Sequence, residues 1–153
     1  MFHMTKLPIL LFAIVISGCS QCNIPEQMPE ITQLIGTWHP TSSTNELIKK
    51  KGYEKNNQKV ELYNNGTFKI YNMPNMWRSN YKKQKGKYEN VTGIWEVYEK
   101  NERGYLLTFD VKNINGKKIT FIYAGCEICE TSDGYKLMFV PEPDLNHDLV
   151  FVK

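Results

Sequence analysis

Residues 58–71 read QKVELYNNGTFKIY and contain a complete hairpin signal. Apolar side chains recur at every second position around the central NNG, with Val60 and Leu62 before it and Phe68 and Ile70 after it. A period of two is typical of strands with one buried face, and Asn and Gly tolerate the positive φ that tight hairpin turns require. The stretch therefore predicts two antiparallel strands joined at 64–66.

The same period of two recurs along most of the chain. Turn residues separate the apolar segments, and the sequence NING at 113–116 is a second strong turn signal. Because strands joined by short turns usually pair with each other, we expect the strands to pair in sequence order. The predicted strands are Leu34–His39, Gln58–Tyr63, Thr67–Tyr71, Thr92–Glu99, Tyr105–Lys112, Lys117–Ala124, Tyr135–Val140 and Asp148–Val152.

One short helix is predicted over Asn45–Lys51. Ser43 or Thr44 can cap its first turn, and lysines in its last turn suit the helix dipole. Gly52 follows as a stop signal.

Eight meandering strands leave two exposed edges unless the sheet closes on itself. Closure into a barrel removes both edges and is common for a domain of this size. The sequence therefore predicts an all-β fold, an antiparallel up-and-down barrel of about eight strands with one short helix. A β-sandwich is the alternative.

The N-terminus carries a targeting signal. An apolar run, Leu7–Ile16, follows Lys6 and ends in Ile16-Ser17-Gly18-Cys19. Ten apolar residues suit a signal peptide, whereas a membrane-spanning helix needs about 20. An ordinary secretory signal that happens to contain a cysteine is the alternative to a signal in which Cys19 has a specific role.

The stretch ending at Cys19 resembles the signal and lipobox of bacterial lipoproteins. The resemblance implies that residues 1–18 are removed and that the Cys19 thiol carries a diacylglycerol. Ser20 stands where an aspartate would favour retention at the inner membrane. The resemblance therefore implies an outer-membrane lipoprotein that faces the periplasm.

The predicted layout has three parts. Residues 1–18 form the signal peptide, residues 19–30 form a semi-extended tether with Pro25 and Pro29, and residues 31–153 form the barrel domain. Residues 1–18 contain Lys6 and no acid, so 18 basic residues face 16 acidic ones in the remainder, a net charge of +2. That balance gives no nucleic-acid footprint, and the basic run 82–87 is interpreted as a solvated loop.

Several short motifs support the barrel by resemblance. They are Gly36-Thr37-Trp38, Gly66-Thr67-Phe68, Asn72-Met73-Pro74, Gly93-Ile94-Trp95, Pro143-Asp144 and Phe151-Val152-Lys153. Together they resemble small bacterial envelope lipoproteins with lipocalin-like domains. The resemblance implies a barrel with Trp38 at its closed end and an envelope location, and it implies no catalytic residue.

Eight-stranded barrels are either filled by side chains or hold one small ligand. The abundance of large apolar residues favours a filled core. The predicted inward-facing residues are Val60, Leu62, Phe68, Ile70, Leu107, Phe109, Val111, Ile119, Phe121, Leu137, Phe139, Leu149 and Phe151.

The connection between Asn72 and Val91 is long for a compact domain, and such loops are often lids or binding elements. It carries candidate ligand-binding residues that can cover a barrel mouth, with an arginine able to meet a carboxylate. These are Met73, Met76, Trp77, Arg78 and Tyr81. Packing of Trp77 on the barrel wall is an equal alternative.

The pair Cys126-Glu127-Ile128-Cys129 can be a redox motif, half of a metal site or a local disulfide. No helix is predicted to follow it, which disfavours thioredoxin-type chemistry. The envelope is oxidising, so we predict a local disulfide between Cys126 and Cys129. A metal site would need further ligands from Cys22, His39 and His147, and we predict none.

No motif for acyl transfer, phosphate binding or zinc hydrolysis occurs in the sequence, so we expect no enzyme and no cofactor. The sequence predicts a membrane-anchored envelope lipoprotein that acts by binding a small apolar ligand or a protein partner, without nucleic acid. The alternative is a metal- or redox-responsive lipoprotein that uses Cys126 and Cys129.

Overall fold

A computed structural model describes residues 22–55, 57–75, 86–99, 104–140 and 148–153, apart from the side chain of Phe121. Its strands pair in sequence order and close into an eight-stranded antiparallel barrel, which confirms the predicted fold class. The strands are β1 Gly36–Pro40, β2 Lys59–Leu62, β3 Thr67–Pro74, β4 Tyr88–Glu99, β5 Tyr105–Ile114, β6 Lys117–Thr131, β7 Gly134–Phe139 and β8 Leu149–Val152.

The barrel closes where β1 meets β8. Only His39↔Val152 and Pro40↔Phe151 pair across this seam, whereas β4, β5 and β6 pair over their long central lengths. Bulges interrupt β3–β4, β4–β5 and β5–β6. Bulges bend and twist strands, which helps a sheet of this size to curl and close.

The two predicted turns are confirmed. In the first, Gly66 has a φ of 76°, and its N–H donates to the Tyr63 carbonyl at 3.1 Å. In the second, Asn115 and Gly116 have φ values of 51° and 79°. Both turns use residues that reach positive φ with little strain.

Two helices accompany the barrel, α1 Ile31–Leu34 and α2 Ser42–Lys50. The predicted helix exists, but it begins three residues earlier than expected because Thr41 is the cap and accepts a bond from the Thr44 N–H at 3.2 Å. The Thr44 hydroxyl instead bonds the Val150 backbone, at 3.1 Å to the carbonyl and 2.8 Å to the N–H. Thr44 therefore attaches α2 to β8.

The first strand was expected to begin at Leu34, but Leu34 belongs to α1. The side chain of Leu34 is fully buried, and its carbonyl accepts a bond from the Trp38 indole at 2.9 Å. This helical turn and Trp38 seal one end of the barrel, in agreement with the expected position of Trp38. Trp95 is also buried.

Aromatic rings fill the described interior. Phe68 contacts Phe109, Phe109 stacks on Phe139, and Phe139 contacts Phe151, with ring centroids 4.7, 5.8 and 5.5 Å apart. The predicted inward-facing residues are buried in this core except Ile119, which is only partly buried, and Phe121, whose side chain is outside the described part. The favoured filled core therefore holds for the residues described.

The barrel has two distinct ends. We call the end with α1, the β2–β3 turn and the β6–β7 turn the closed end. We call the end with α2 and the β5–β6 turn the helix end.

Among the described residues, no helix has the length and apolar character needed to cross a membrane.

Gly93 lies where two strands approach too closely for a side chain. A Cβ there would lie 2.0 Å from the Asp110 carbonyl oxygen and 2.9 Å from the Phe68 ring. We expect Gly93→Ala to lower the free energy of unfolding by about 2–3 kcal/mol, because backbone must shift to relieve the overlap. Gly125→Ala is the matched control, since its Cβ would meet nothing closer than 3.4 Å. Urea unfolding of both variants checks this, and equal losses would contradict the register of β4 on β5.

Candidate functional site

A cavity of about 570 Å³ opens at the helix end, between α2 and the adjoining ends of β1, β2 and β3. Its volume is in the range of small-molecule sites. It is lined by His39, Pro40, Asn45, Asn57, Gln58, Lys59, Tyr71 and Asn72. We call it the helix-end cavity.

Two side-chain carbonyl groups of this lining have no hydrogen-bond partner within the described part of the chain. Gln58 is only 1% exposed, and its amide nitrogen donates to the Lys55 carbonyl at 2.5 Å, while its Oε1 is buried and unpaired. Asn45 Oδ1, on α2, is likewise buried and unpaired. A buried acceptor without a partner costs about 1–3 kcal/mol, so both atoms favour a ligand that donates hydrogen bonds.

The charged groups beside the cavity are already engaged with each other. Lys59 Nζ lies 2.5 Å from Glu61 Oε1 and 4.4 Å from the centre of the Tyr71 ring. The hydrogen bond from Lys59, together with one from the Tyr63 hydroxyl, lowers the pKa of Glu61 to about 2. Because the ammonium of Lys59 is held by this carboxylate, the cavity offers amide groups more than free charge.

The predicted lid residues are not brought together by the described structure. Met73 is fully buried in the barrel core and not on a loop, which corrects its assignment to ligand binding. The reason is that β3 continues to Pro74 beyond a bulge, where Asn72 has a φ of 48° and turns Met73 inward. Met76, Trp77, Arg78 and Tyr81 lie outside the described residues.

The connection that carries them is shorter than predicted. Because β3 extends to Pro74 and β4 begins at Tyr88, residues 75–87 join the two strands. The Asn75 N–H donates to the Lys87 carbonyl at 3.1 Å, which brings the two sides of this connection together at the helix end.

The predicted Cys126–Cys129 disulfide is wrong. Both residues lie on β6 and not in a loop. Residues three apart on a strand point to opposite faces of the sheet, and their Cα atoms are about 10 Å apart, which is too far for a disulfide. Cys129 is joined instead to Cys22, 107 residues earlier in the sequence. The same geometry prevents Cys126 and Cys129 from holding one metal ion together.

Cys126 is a free thiol inside the barrel. It is fully enclosed, and this burial raises the pKa of its thiol well above the usual value. A thiol that stays protonated in an apolar interior is a poor nucleophile and a poor metal ligand.

The Cys22–Cys129 disulfide begins a segment that packs along the barrel. The Glu130 N–H donates to the Asn23 carbonyl at 2.8 Å, Ile24 packs beside Gly104, and Pro25 and Pro29 are buried. The segment 19–30 was predicted to be a semi-extended tether, and from residue 22 onwards it packs along the closed end of the barrel. Cys19 and residues 1–18 lie outside the described residues.

Glu127 lies beside the Cys22–Cys129 disulfide at the closed end. The ligand atoms of Cys22, Glu127 and Cys129 lie within 4.8 Å of one another. Both sulfur atoms are committed to the disulfide, so this cluster has no thiolate to offer an ion in its oxidised form.

Sequence reasoning missed Gln58 and Asn45. The signal for Gln58 was present, because this polar residue is in phase with the inward-facing Val60 and Leu62. A polar side chain at an inward position is either paired or available to a ligand. Asn45 gave no such signal, since polar residues are ordinary on the surface of a short helix.

Comparison with known proteins gave no match to a family model, to a curated protein or to a solved structure.

We expect Cys22→Ser combined with Cys129→Ser to lower the free energy of unfolding by roughly 4–5 kcal/mol, because the disulfide closes a loop of about 100 residues. Cys126→Ala is the control and should remove much less, since it deletes only one sulfur atom from the core. Urea unfolding under non-reducing conditions measures both. A larger loss in Cys126→Ala than in the double variant would contradict the pairing.

Proposed function

We propose that this protein is a lipid-anchored protein of the bacterial envelope that acts by binding, with the helix-end cavity as its binding site. The motif that ends at Cys19 supports the lipid anchor and, by its resemblance, an outer-membrane location facing the periplasm. The Cys22–Cys129 disulfide supports an oxidising compartment, because structural disulfides form and persist outside the cytosol.

The observation that carries the binding site is the pair of buried, unpaired carbonyl oxygens of Gln58 and Asn45 in the cavity lining. Folding normally satisfies such groups, so two buried acceptors without partners in one cavity lining favour a ligand or water that donates to them. The filled aromatic core directs binding to this end of the barrel and not to the described interior. The sequence prediction of an apolar ligand depended on residues 76–81, which are not described, and on Met73, which is in the core.

The electrostatic surroundings narrow the class of ligand. Lys49 and Lys50 in the last turn of α2, and the exposed Lys55, disfavour an ammonium ligand near the cavity. Lys59, the one lysine among the described residues that line the cavity, is held by Glu61 and is not free for an anion. Amide carbonyls accept from hydroxyl groups, and the amide nitrogens of Asn57 and Asn72 can donate to their oxygens. The site therefore fits a neutral polyhydroxylated ligand such as an oligosaccharide.

Maltotetraose is a suitable neutral probe for this proposal. We expect it to shift the side-chain amide NMR signals of Gln58 and Asn45 in ¹⁵N-labelled protein.

Gln58→Met keeps the size of the side chain and removes its acceptor oxygen. It should weaken binding at least about fivefold, since a hydrogen bond contributes roughly 1 kcal/mol. Gln27→Met, at an exposed position of the closed end, is the matched control and should bind like the wild type. Spermidine should produce no shift at Gln58. Shifts with spermidine alone, or with neither compound, would contradict the proposed ligand class.

Cys19→Ser is expected to abolish stable membrane association, because a net charge of +2 after removal of residues 1–18 gives little electrostatic attraction to lipid and a few exposed apolar side chains do not replace the acyl chains. Stable anchoring needs two or more acyl chains, and loss of the thiol removes their attachment. Membrane flotation of cell extracts measures this, with Cys126→Ala as a control that keeps the anchor. Flotation of a processed Cys19→Ser protein would rule out the lipid anchor.

A further inference from the structure

The disulfide restricts how the barrel can sit on a membrane. Cys19, the proposed lipid-bearing residue, is only three peptide units from Cys22, and three units span at most about 11 Å. Cys22 is in turn bonded to Cys129, with their Cα atoms 5.0 Å apart. A very short connection therefore joins the proposed lipid to the part of β6 that lies at the closed end.

The opposite end of the barrel lies far from that connection. Strand β6 has 15 residues, and at about 3.3 Å per residue it extends roughly 45 Å from end to end. Since Cys129 lies near the closed end of β6, the closed end stays close to the lipid in every orientation of the barrel. The helix end with its cavity can reach the membrane surface only if the barrel lies on its side.

The segment that follows Cys22 exposes large apolar side chains at this end. Ile24, Met28 and Ile31 are 52%, 51% and 58% exposed, and they are three of the eight exposed large hydrophobic residues in the described part of the chain. Tyr98, near the closed end of β4, is 63% exposed. Met28 and Ile31 line one surface groove, and Ile24 lines another beside Cys22 and Tyr105. Exposed apolar side chains at one end of a fold indicate a contact surface, and apolar groups at a bilayer enter it by about 5–10 Å.

From the short connection and this exposure, we propose that Ile24, Met28 and Ile31 rest in the membrane interface and hold the barrel in one orientation. The inference depends on the lipid anchor proposed above, and it adds a second, protein-mediated contact with the bilayer. The other possible occupants of this surface, a second copy of the chain or another protein, have no such short connection to bring them to it.

Charge around the surface identifies the kind of bilayer. The exposed acidic residues nearest the contact residues in sequence are Glu26 and Glu30, and Glu130 and Asp133 lie at the closed end of β6 and its turn. Carboxylates are repelled by anionic headgroups and tolerated by zwitterionic ones. Residues 22–35 contain no lysine or arginine, although the Lys153 ammonium donates to the Gln33 carbonyl in α1 at 2.6 Å. With this excess of carboxylates, the surface is better suited to zwitterionic than to anionic phospholipid.

Photo-crosslinking in reconstituted vesicles tests the contact. The lipidated protein is made with Ile31→p-benzoylphenylalanine and, as a control at the helix end, with Val140→p-benzoylphenylalanine, because Val140 is also exposed at 46%. In phosphatidylcholine vesicles we expect at least about fivefold more crosslinking to lipid at position 31, because a barrel that rests on its closed end keeps position 140 away from the bilayer. Equal crosslinking at the two positions in protein that floats with the vesicles would overturn the inference.

The same experiment separates this inference from the lipid anchor. Failure of the wild-type protein to float with vesicles would refute the anchor, whereas flotation with no preference for position 31 would refute only the contact. Vesicles with 40% phosphatidylglycerol should reduce crosslinking at position 31 at low salt, and added salt should restore it, since screening weakens the repulsion. Crosslinking that increases with phosphatidylglycerol would contradict the proposed lipid preference.

Discussion

The bond between Cys22 and Cys129 is the constraint on which the arrangement of this protein depends. It fastens the N-terminal segment to β6, and that segment continues through the buried Pro25 and Pro29 into α1, which seals the closed end. The same bond shortens the connection to the proposed lipid to three residues. One covalent link thus holds the packing of the closed end and is the basis for the proposed compartment and the proposed orientation on the membrane.

The described interior, which side chains fill, is the second feature that decides where a ligand is proposed to bind. Among the described residues, a row of ring contacts from Phe68 to Phe151 fills the interior of the barrel. Binding is therefore proposed at the rim, where the carbonyl oxygens of Gln58 and Asn45 are buried without partners. In this proposal the barrel is a rigid support for two different ends, one facing lipid and one binding a hydrogen-bonding ligand.

Local signals were sufficient to predict the barrel. The alternation of Val60 and Leu62 with polar neighbours, and the Asn-Gly turns at 64–66 and 115–116, each specify a hairpin within a few residues, and hairpins joined in order leave closure as the simplest outcome. Strand ends were less predictable, because pairing with a neighbouring strand extends a strand past its own alternating pattern. This is why β6 includes Cys126 and Cys129, which the sequence placed in a loop.

The site depends on contacts between distant parts of the chain and was harder to predict. Cys22 gave no sign of its partner, since a short segment containing proline looks like a tether until it has a surface to pack on. The unpaired state of Asn45 Oδ1 depends on how α2 lies on β1 and β8, which local sequence does not specify. The one local signal of the cavity was Gln58, a polar residue at a position that faces inward.

Mass spectrometry of the protein purified from membranes tests the account most directly. Digestion after Glu127 separates Cys126 from Cys129. The account predicts one disulfide-linked species that joins the Cys129 peptide to the N-terminal peptide carrying both Cys22 and a lipidated Cys19, with Cys126 recovered as a free thiol. A disulfide between the Cys126 and Cys129 peptides, or an N-terminal peptide without lipid, would contradict it.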